Sequence, residues 1–468
     1  MERIILQPHV RFGDPHVNSD DKNRLSILAN VVEPLVSRDA TGNIHPQLAK
    51  TWQVSEDGRK WQLELQQGVH FHDGSPLTAG DVVANLERIR DHDLGGELGT
   101  AGVYQSYLAG ATLTSTGELG VRIDMPEPAS ELLDILERFP IMPADRLGDA
   151  ALETEIIGTG GYKLAELADD SVVLEPFADY WRDSKGVDTL EFRAQANPEA
   201  RVNALLAHQA HIISEVPLAH LPDVVHSARL VSLQSTVCVI IMFNMASDAV
   251  RDVRVRQAIN YAVDTKQLIK ALHQGYALPL HGPLTPLHSG FDGGSSGYDY
   301  NPDKARRLLD DAGISELSLV LDAPTIHPHE SPRLTRTIAQ QCAEIGINVT
   351  VNLHDDRPAY AEMVRASQVQ DACVFDSSPI SSYRVLREKF HSGVKGPWWL
   401  GYQNSAVDDA IDAIANTTHA SDKQALYSQV QQHIVRDAPW LFLYSPMRHW
   451  GMRSDIFWQP AVDGLMLF

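Results

Sequence analysis

The sequence predicts an α/β protein of two or three lobes. Two observations predict it. The chain has 468 residues, too many for one ordinary hydrophobic core. Its second half alternates amphipathic helices with short apolar strands, the pattern of α/β units.

The elements follow in order. "RIILQPHV" opens as a strand. A helix and short strands run from "KNRLSILANVV" to "GVHFHDG", broken by "DATGN", "SEDGR" and "HDG". Asp, Asn and Gly in those breaks suit turns. "TAGDVVANLERIRDH" is an amphipathic helix whose start is bracketed by Thr78 and Asp81 as caps. "GTGGYKLAELADDSVVLEPFADYW" reads as a hairpin after a Gly-rich turn. "NPEARVNALLAHQAHIISEVP" is a helix leading into a strand at Ile212 and Ile213.

A second block begins near residue 244. "DVRVRQAINYAVDTKQLIKALHQGY" gives two helices, and "NPDKARRLLDDAGISELSLVLDAP" a helix and a buried strand. "SPRLTRTIAQQCAEIGINVTVNLHD" repeats helix then strand, and helices in "SAVDDAIDAIANTT" and "DKQALYSQVQQHIVRD" close the block. There is no solenoid repeat and no low-complexity segment.

Composition narrows the function. Hydrophobic residues make up 43% and charged residues 21%, usual for a globular protein. A formal charge of −22 argues against nucleic acid and anionic membranes as partners. No apolar run is long enough to span a bilayer. "MERIILQPHV" lacks the basic and apolar regions of a secretory signal. The expected location is therefore periplasmic or extracellular if a signal peptide was removed, and cytoplasmic if Met1 is the native start. Cys238, Cys342 and Cys373 stand alone and read as small buried hydrophobes rather than a zinc site.

Few stretches carry chemistry. His70 and His72 share one face of a strand, yet a third metal ligand is not evident nearby, so the segment reads as scaffold before it reads as a metal site. "GTGGY" lacks the Lys and Ser/Thr of a phosphate loop. Twenty histidines and many carboxylates guarantee chance acid–base pairs, and with no nucleophile motif none is given a catalytic role. An enzyme is not expected, nor a cofactor. His327 lies in "PTIHPHE", a loop after a buried strand of the kind that lines clefts. Trp398 and Trp399 in "KGPWWLGY", like Tyr104 and Tyr107 in "GVYQSYL", are either ligand walls or core plugs.

The ordered series of these segments resembles the extracellular solute-binding proteins of family 5, the dipeptide, oligopeptide and nickel receptors of ABC importers. The resemblance runs from "VEPLVSRDATGNIHPQLAKTWQVSEDGRKWQLELQQGVHFHDGSPLTAGDVV" through "GTGGYKL", "YWRDSKGVDTLEFRAQANPEARVNALLAHQAHI" and "DVRVRQAINYAVD" to "YNPDKARRLLDDAGI". It implies a periplasmic-binding-protein-like type II fold. Lobe I would take 1–32, 157–243 and 444–468, an inserted subdomain 33–156, and lobe II 244–443. It implies a ligand held between the lobes, which close by a hinge. Residues 68–83, "GVHFHDGSPLTAGDVV", would be strand, turn and helix start, with the turn needing Gly74. The implied partners are a small-molecule ligand and ABC permease subunits, with the chain a monomer. The alternative is a cytosolic ligand sensor or chaperone on the same fold.

The resemblance also bears on the ligand. In the peptide receptors an Asp just before a Pro pairs with the ligand's amino terminus. In "VFDSSPISSY" Ser378 takes that place, with Asp376 two residues earlier. Thr325 stands where the dipeptide receptors carry an Arg for the ligand carboxylate. The nickel receptors' aromatic pattern is replaced by Cys373, Phe375 and Ser377, leaving His391 as a candidate for their histidine. A plain dipeptide and a plain nickel receptor are both disfavoured. A small polar solute fits better: a modified peptide, an opine or a sugar-like compound. The expected contacts are Asn18, Ser19, Tyr104, Tyr107, Asn244, His327, Asp376, Ser377, Trp398 and Trp399. Replacing Trp398 or Asp376 by Ala is expected to weaken binding with little loss of folding stability.

Overall fold

The computed structural model describes residues 2–17, 21–39, 42–90, 94, 104–148, 150–183, 186–326, 330–396 and 398–468. The chain divides into two compact units, residues 1–233 with 448–468, and residues 234–447.

In the first unit, Glu2–Gln7 runs parallel to Thr189–Ala194 on one side and to Ile212–Ser214 on the other. The predicted hairpin pairs Tyr162–Leu167 with Ser171–Pro176, and the latter extends the sheet along Thr189–Ala194. Residues 450–452 pair antiparallel with Ile212–Ser214. Alternate residues Ile5, Val172, Leu174, Leu190, Phe192 and Ile212 turn inward and build one core. Segments between 35 and 141 build a separate core around Trp61, Phe71, Leu86 and Ile123. A four-stranded antiparallel sheet, ordered Ala49–Val54, Lys60–Leu65, Gly120–Asp124, Thr112–Ser115, supports that second core. Helix Ala79–Ile89 starts in a capping box: Asp81 donates its amide to Thr78 Oγ1, and the Thr78 amide donates to Asp81 Oδ2.

The histidine-rich segment 68–83 is scaffold. Gly74 has φ of +86°, a turn conformation that side chains resist. His70 is only half-buried and bonds back to the Gly68 carbonyl. His72 instead reaches into the "GTGGY" loop. Its Nδ1 accepts from the Gly158 amide at 3.3 Å, which leaves Nε2–H to donate to the Gly160 carbonyl at 3.0 Å. Gly160 itself must be glycine, because a Cβ there would stand 2.4 Å from the Asn30 carbonyl oxygen. The Gly-rich loop is thus a packing device rather than an anion cradle.

Burial holds the His72 imidazole down to a pKa of about 4. The folded state therefore takes up this proton less readily than the unfolded chain, so the neutral ring's stabilisation is present above pH 6.5 and lost toward pH 4. Acid titration of wild-type stability is expected to fall across that window by about 3 kcal/mol from this residue. His72→Gln is expected to flatten the fall. An unchanged pH slope in the variant, followed by urea unfolding, would refute the assignment.

In the second unit, Leu317–Pro324 lies between two parallel neighbours, Ile347–His354 and Ala372–Ser377. Helix Ser331–Ala343 makes the first crossover and helix Arg357–Arg365 the second. Cys238–Phe243 then pairs antiparallel with Ala372–Ser377 and with residues 440–444. These two pairings place Cys238–Phe243 in the second unit, so the division falls after Leu233 rather than near residue 243. Val239, Ile241, Leu319, Leu321, Val349 and Val374 face one side and form its main core. The three cysteines are buried.

Candidate functional site

The first crossover places Ile347–His354 on one side of Leu317–Pro324, and the second carries the chain back to Ala372–Ser377 on the other, so the strand order reverses there. In open α/β sheets the carboxyl ends of strands at such a reversal form the usual ligand crevice. In this unit those ends carry Thr325, His354, Asp376 and Ser377.

Arg357 enters from the helix that follows Ile347–His354. Asp356 caps that helix by accepting the Ala359 amide at 3.0 Å, and Pro358 sits in its first turn. This start places the Arg357 guanidinium over the strand end. Its Nη2 lies 3.7 Å from Asp376 Oδ1, and its Cζ lies 4.8 Å from the centre of the Phe375 ring and 5.7 Å from that of Tyr360. The Arg357 side chain is 9% exposed and that of Asp376 is 29%. The pair therefore offers one charge of each sign where solvent reaches the carboxylate.

Apolar rings support the pair. Trp398 packs on Phe375 with ring centres 4.5 Å apart, and Lys389 Nζ lies 5.4 Å over Trp398. Tyr360 Oη donates to the carbonyls of Val374 and Asp322, fixing the helix to the strands. Burial pushes the Tyr360 phenol and the Cys373 thiol above their ordinary values, so neither ionises near neutrality. Ser377 is 2% exposed, and its Oγ has no hydrogen-bond partner among the described residues. A buried hydroxyl without a partner costs about 1–3 kcal/mol, so a polar group arriving there is favoured.

Asp376, Ser377 and Trp398 are thus brought together. Trp398 is as buried against Phe375 as a core residue, so Trp398→Ala is expected to cost folding stability as well as binding, where little loss of stability was expected from the sequence. Trp399 donates its Nε1–H to the Tyr402 carbonyl and stands beneath Lys395, fixing its own loop. Asn244 sits at the other end of its strand, where Phe243 pairs with Ala372. Its amide group donates to the Val369 and Gln370 carbonyls and its Oδ1 accepts from the Ala246 amide, which makes it a turn brace. Tyr104 is buried edge-on against Phe139, and Tyr107 packs on the same core in the first unit. His391 is held by Asp412 and by the Gly393 amide. Asn18, Ser19 and His327 lie outside the described residues. No cluster of three or more His, Cys, Asp or Glu able to hold a metal occurs among the described residues. Two cavities, of about 620 and 460 Å³, are lined by none of Arg357, Asp376, Ser377 and Trp398: one lies beside Phe12, Arg24 and Leu167, the other beside Tyr261 and Tyr298.

Arg357 escaped the reading of the sequence. The signal was present, since "HDDRPAY" is a helix start placing an Arg in the first turn after a strand. What the sequence lacked was any mark that this turn meets Asp376.

The family model described as "Bacterial extracellular solute-binding proteins, family 5 Middle" matches residues 43–379. A glutathione-binding protein GsiB from Pectobacterium atrosepticum is 27% identical over 448 residues, covering 92% of this chain and 85% of that protein. HbpA2 from Haemophilus parasuis superposes with a TM-score of 0.87 at 19% identity, covering 100% of this chain and 98% of the other. AgaA from A. tumefaciens R10, in complex with agropinic acid, superposes with a TM-score of 0.79 at 22% identity, covering 97% and 93%. The fold is that of the type II periplasmic-binding-protein-like class. The chain belongs to the bacterial extracellular solute-binding proteins of family 5, the solute-binding receptors of ABC importers.

Proposed function

We propose that this receptor captures a small zwitterionic solute of the modified-peptide class and delivers it to ABC permease subunits outside the cytoplasmic membrane. The carrying observation is the Arg357–Asp376 pair, which presents opposite charges 3.7 Å apart at the crevice end of the strands. A solute with both a carboxylate and an ammonium answers both charges at once. Asp376 and Ser377 serve as its polar contacts, and the ring wall of Phe375 and Trp398 excludes water behind them. The two charged groups do not stand at the positions used by the dipeptide receptors, which favours a peptide with unusual linkage over a plain one. Glutathione, the γ-linked tripeptide named for the relatives that span 92% of this chain, is such a compound. Among the described residues no helix is long and apolar enough to cross a membrane.

The test is native mass spectrometry of gently purified protein before and after unfolding and refolding, followed by calorimetry. The expected result is a discrete added mass that is lost on refolding, and restored binding with reduced glutathione. Binding of Ala-Ala in preference to glutathione, or of neither peptide, would overturn the modified-peptide reading; heat with agropinic acid alone would assign the receptor to opines instead.

A further inference from the structure

One feature at the same strand ends is not used by the Arg357–Asp376 pair. Asp322 is 3% exposed, near the carboxyl end of the strand Leu317–Pro324. Its carboxylate accepts from the Gln370 amide at 3.1 Å, from His354 Nε2 at 3.0 Å and from Asn352 Nδ2 at 3.4 Å. Among the described residues no lysine or arginine is bonded to it, so His354 is the one partner able to supply a countercharge. A buried carboxylate is costly without one.

The contact also fixes the ring. Nε2 points inward to Asp322, so Nδ1 points away from the carboxylate, and among the described residues it has no hydrogen-bond partner. The His354 side chain is 31% exposed. Its ring centre lies 5.3 Å from that of Tyr360, the same ring that Arg357 covers at 5.7 Å. An imidazole held by a carboxylate on one nitrogen presents the other in a defined direction.

We propose that the Asp322–His354 pair is a second anion subsite of this receptor, in which the charged imidazole donates Nδ1–H to a carboxylate of a solute that carries two. The proposal rests on the reading of this crevice as the ligand end. Arg357 then takes one carboxylate, His354 the other, and Asp376 the ammonium. That set selects a dicarboxylate bearing one amino group, the charge pattern of a γ-glutamyl peptide. The charged and titratable groups near the imidazole are Asp322 on its neighbouring strand with Cys373 beside it, Tyr360 against the ring, Arg357 over Tyr360 and Asp376 beyond Arg357, and Asp355 and Asp356 follow it in sequence. Charging His354 neutralises Asp322 and adds positive potential beside Arg357. Anion affinity is therefore expected to rest on the His354 imidazole as well as on Arg357.

The experiment follows the imidazole resonances of histidine-labelled protein by NMR against pH, with His354→Gln identifying the His354 signal. Succinate serves as a bare dicarboxylate probe and reduced glutathione as the solute probe. Succinate is expected to raise the His354 titration midpoint by about half a pH unit or more, equal to about a threefold preference for the charged ring. Glutathione affinity is expected to fall at least about threefold in His354→Gln. Succinate that moves His354 while glutathione fails to bind would support the subsite and refute the modified-peptide reading. A His354 midpoint unmoved by succinate, or a glutathione affinity identical in wild type and variant, would overturn the subsite. Should His354→Gln fail to fold, Asp322→Asn is the second variant, and it is expected to abolish the succinate-dependent shift.

Discussion

Glu33→Ala is expected to destabilise the first unit by about 3–5 kcal/mol, the cost of breaking a buried, fully satisfied charged network. Glu33 is 4% exposed. Its Oε1 accepts from Tyr180 Oη at 2.9 Å and Gln47 Nε2 at 2.6 Å, and its Oε2 from Thr159 Oγ1 and Trp181 Nε1, both at 2.9 Å. One carboxylate thus ties together three segments far apart in sequence. Burial raises the pKa of Glu33, opposed by those donors. Removing it strands four donors, each costing about 1–3 kcal/mol if left dry. Glu33→Gln is expected to be damaging too, since its amide turns two donors toward two others. Urea denaturation gives the measurement. A loss below about 1 kcal/mol in Glu33→Ala would mean that water replaces the carboxylate.

Arg357→Leu is expected to cost about 100-fold or more in affinity for the bound solute, the usual loss of about 2–5 kcal/mol when one partner of a desolvated charge pair is truncated. The leucine keeps the apolar stem against Phe375 and Tyr360, so packing is largely preserved. Asp376 is the more exposed partner, so water can solvate it once the guanidinium is gone. Calorimetry with the co-purified solute, beside a thermal unfolding curve, separates the two effects. Affinity within about threefold of wild type would remove Arg357 from the site.

These two residues differ in how far they were visible beforehand. Glu33 sits in "VVEPLV", where nothing local marks it as the hub of four donors. Arg357 sits in a helix start that local rules identify, yet its importance comes from Asp376, nineteen positions later and one strand away. Tyr104 shows the converse. An aromatic in a Gly-rich segment suits a cleft wall equally well, and only packing against Phe139 puts it in a core.

Much else was legible. The capping box at Thr78 and Asp81, the hairpin from Tyr162 to Pro176, and the helix–strand alternation after residue 253 all follow from interactions within a few residues. The reading of His70 and His72 as scaffold rested on the lack of a third ligand nearby and on the family resemblance. The ordered segments were enough to point to the family, because each preserves a local requirement of the same fold. Tertiary structure decided which charges meet. Arg357 reaches Asp376, and His354 reaches Asp322, because two crossovers return parallel strands to either side of Leu317–Pro324 and align their carboxyl ends. Local rules act through neighbours along the chain. A binding site is made of neighbours in space, and the strand order that creates them has no local mark in the sequence.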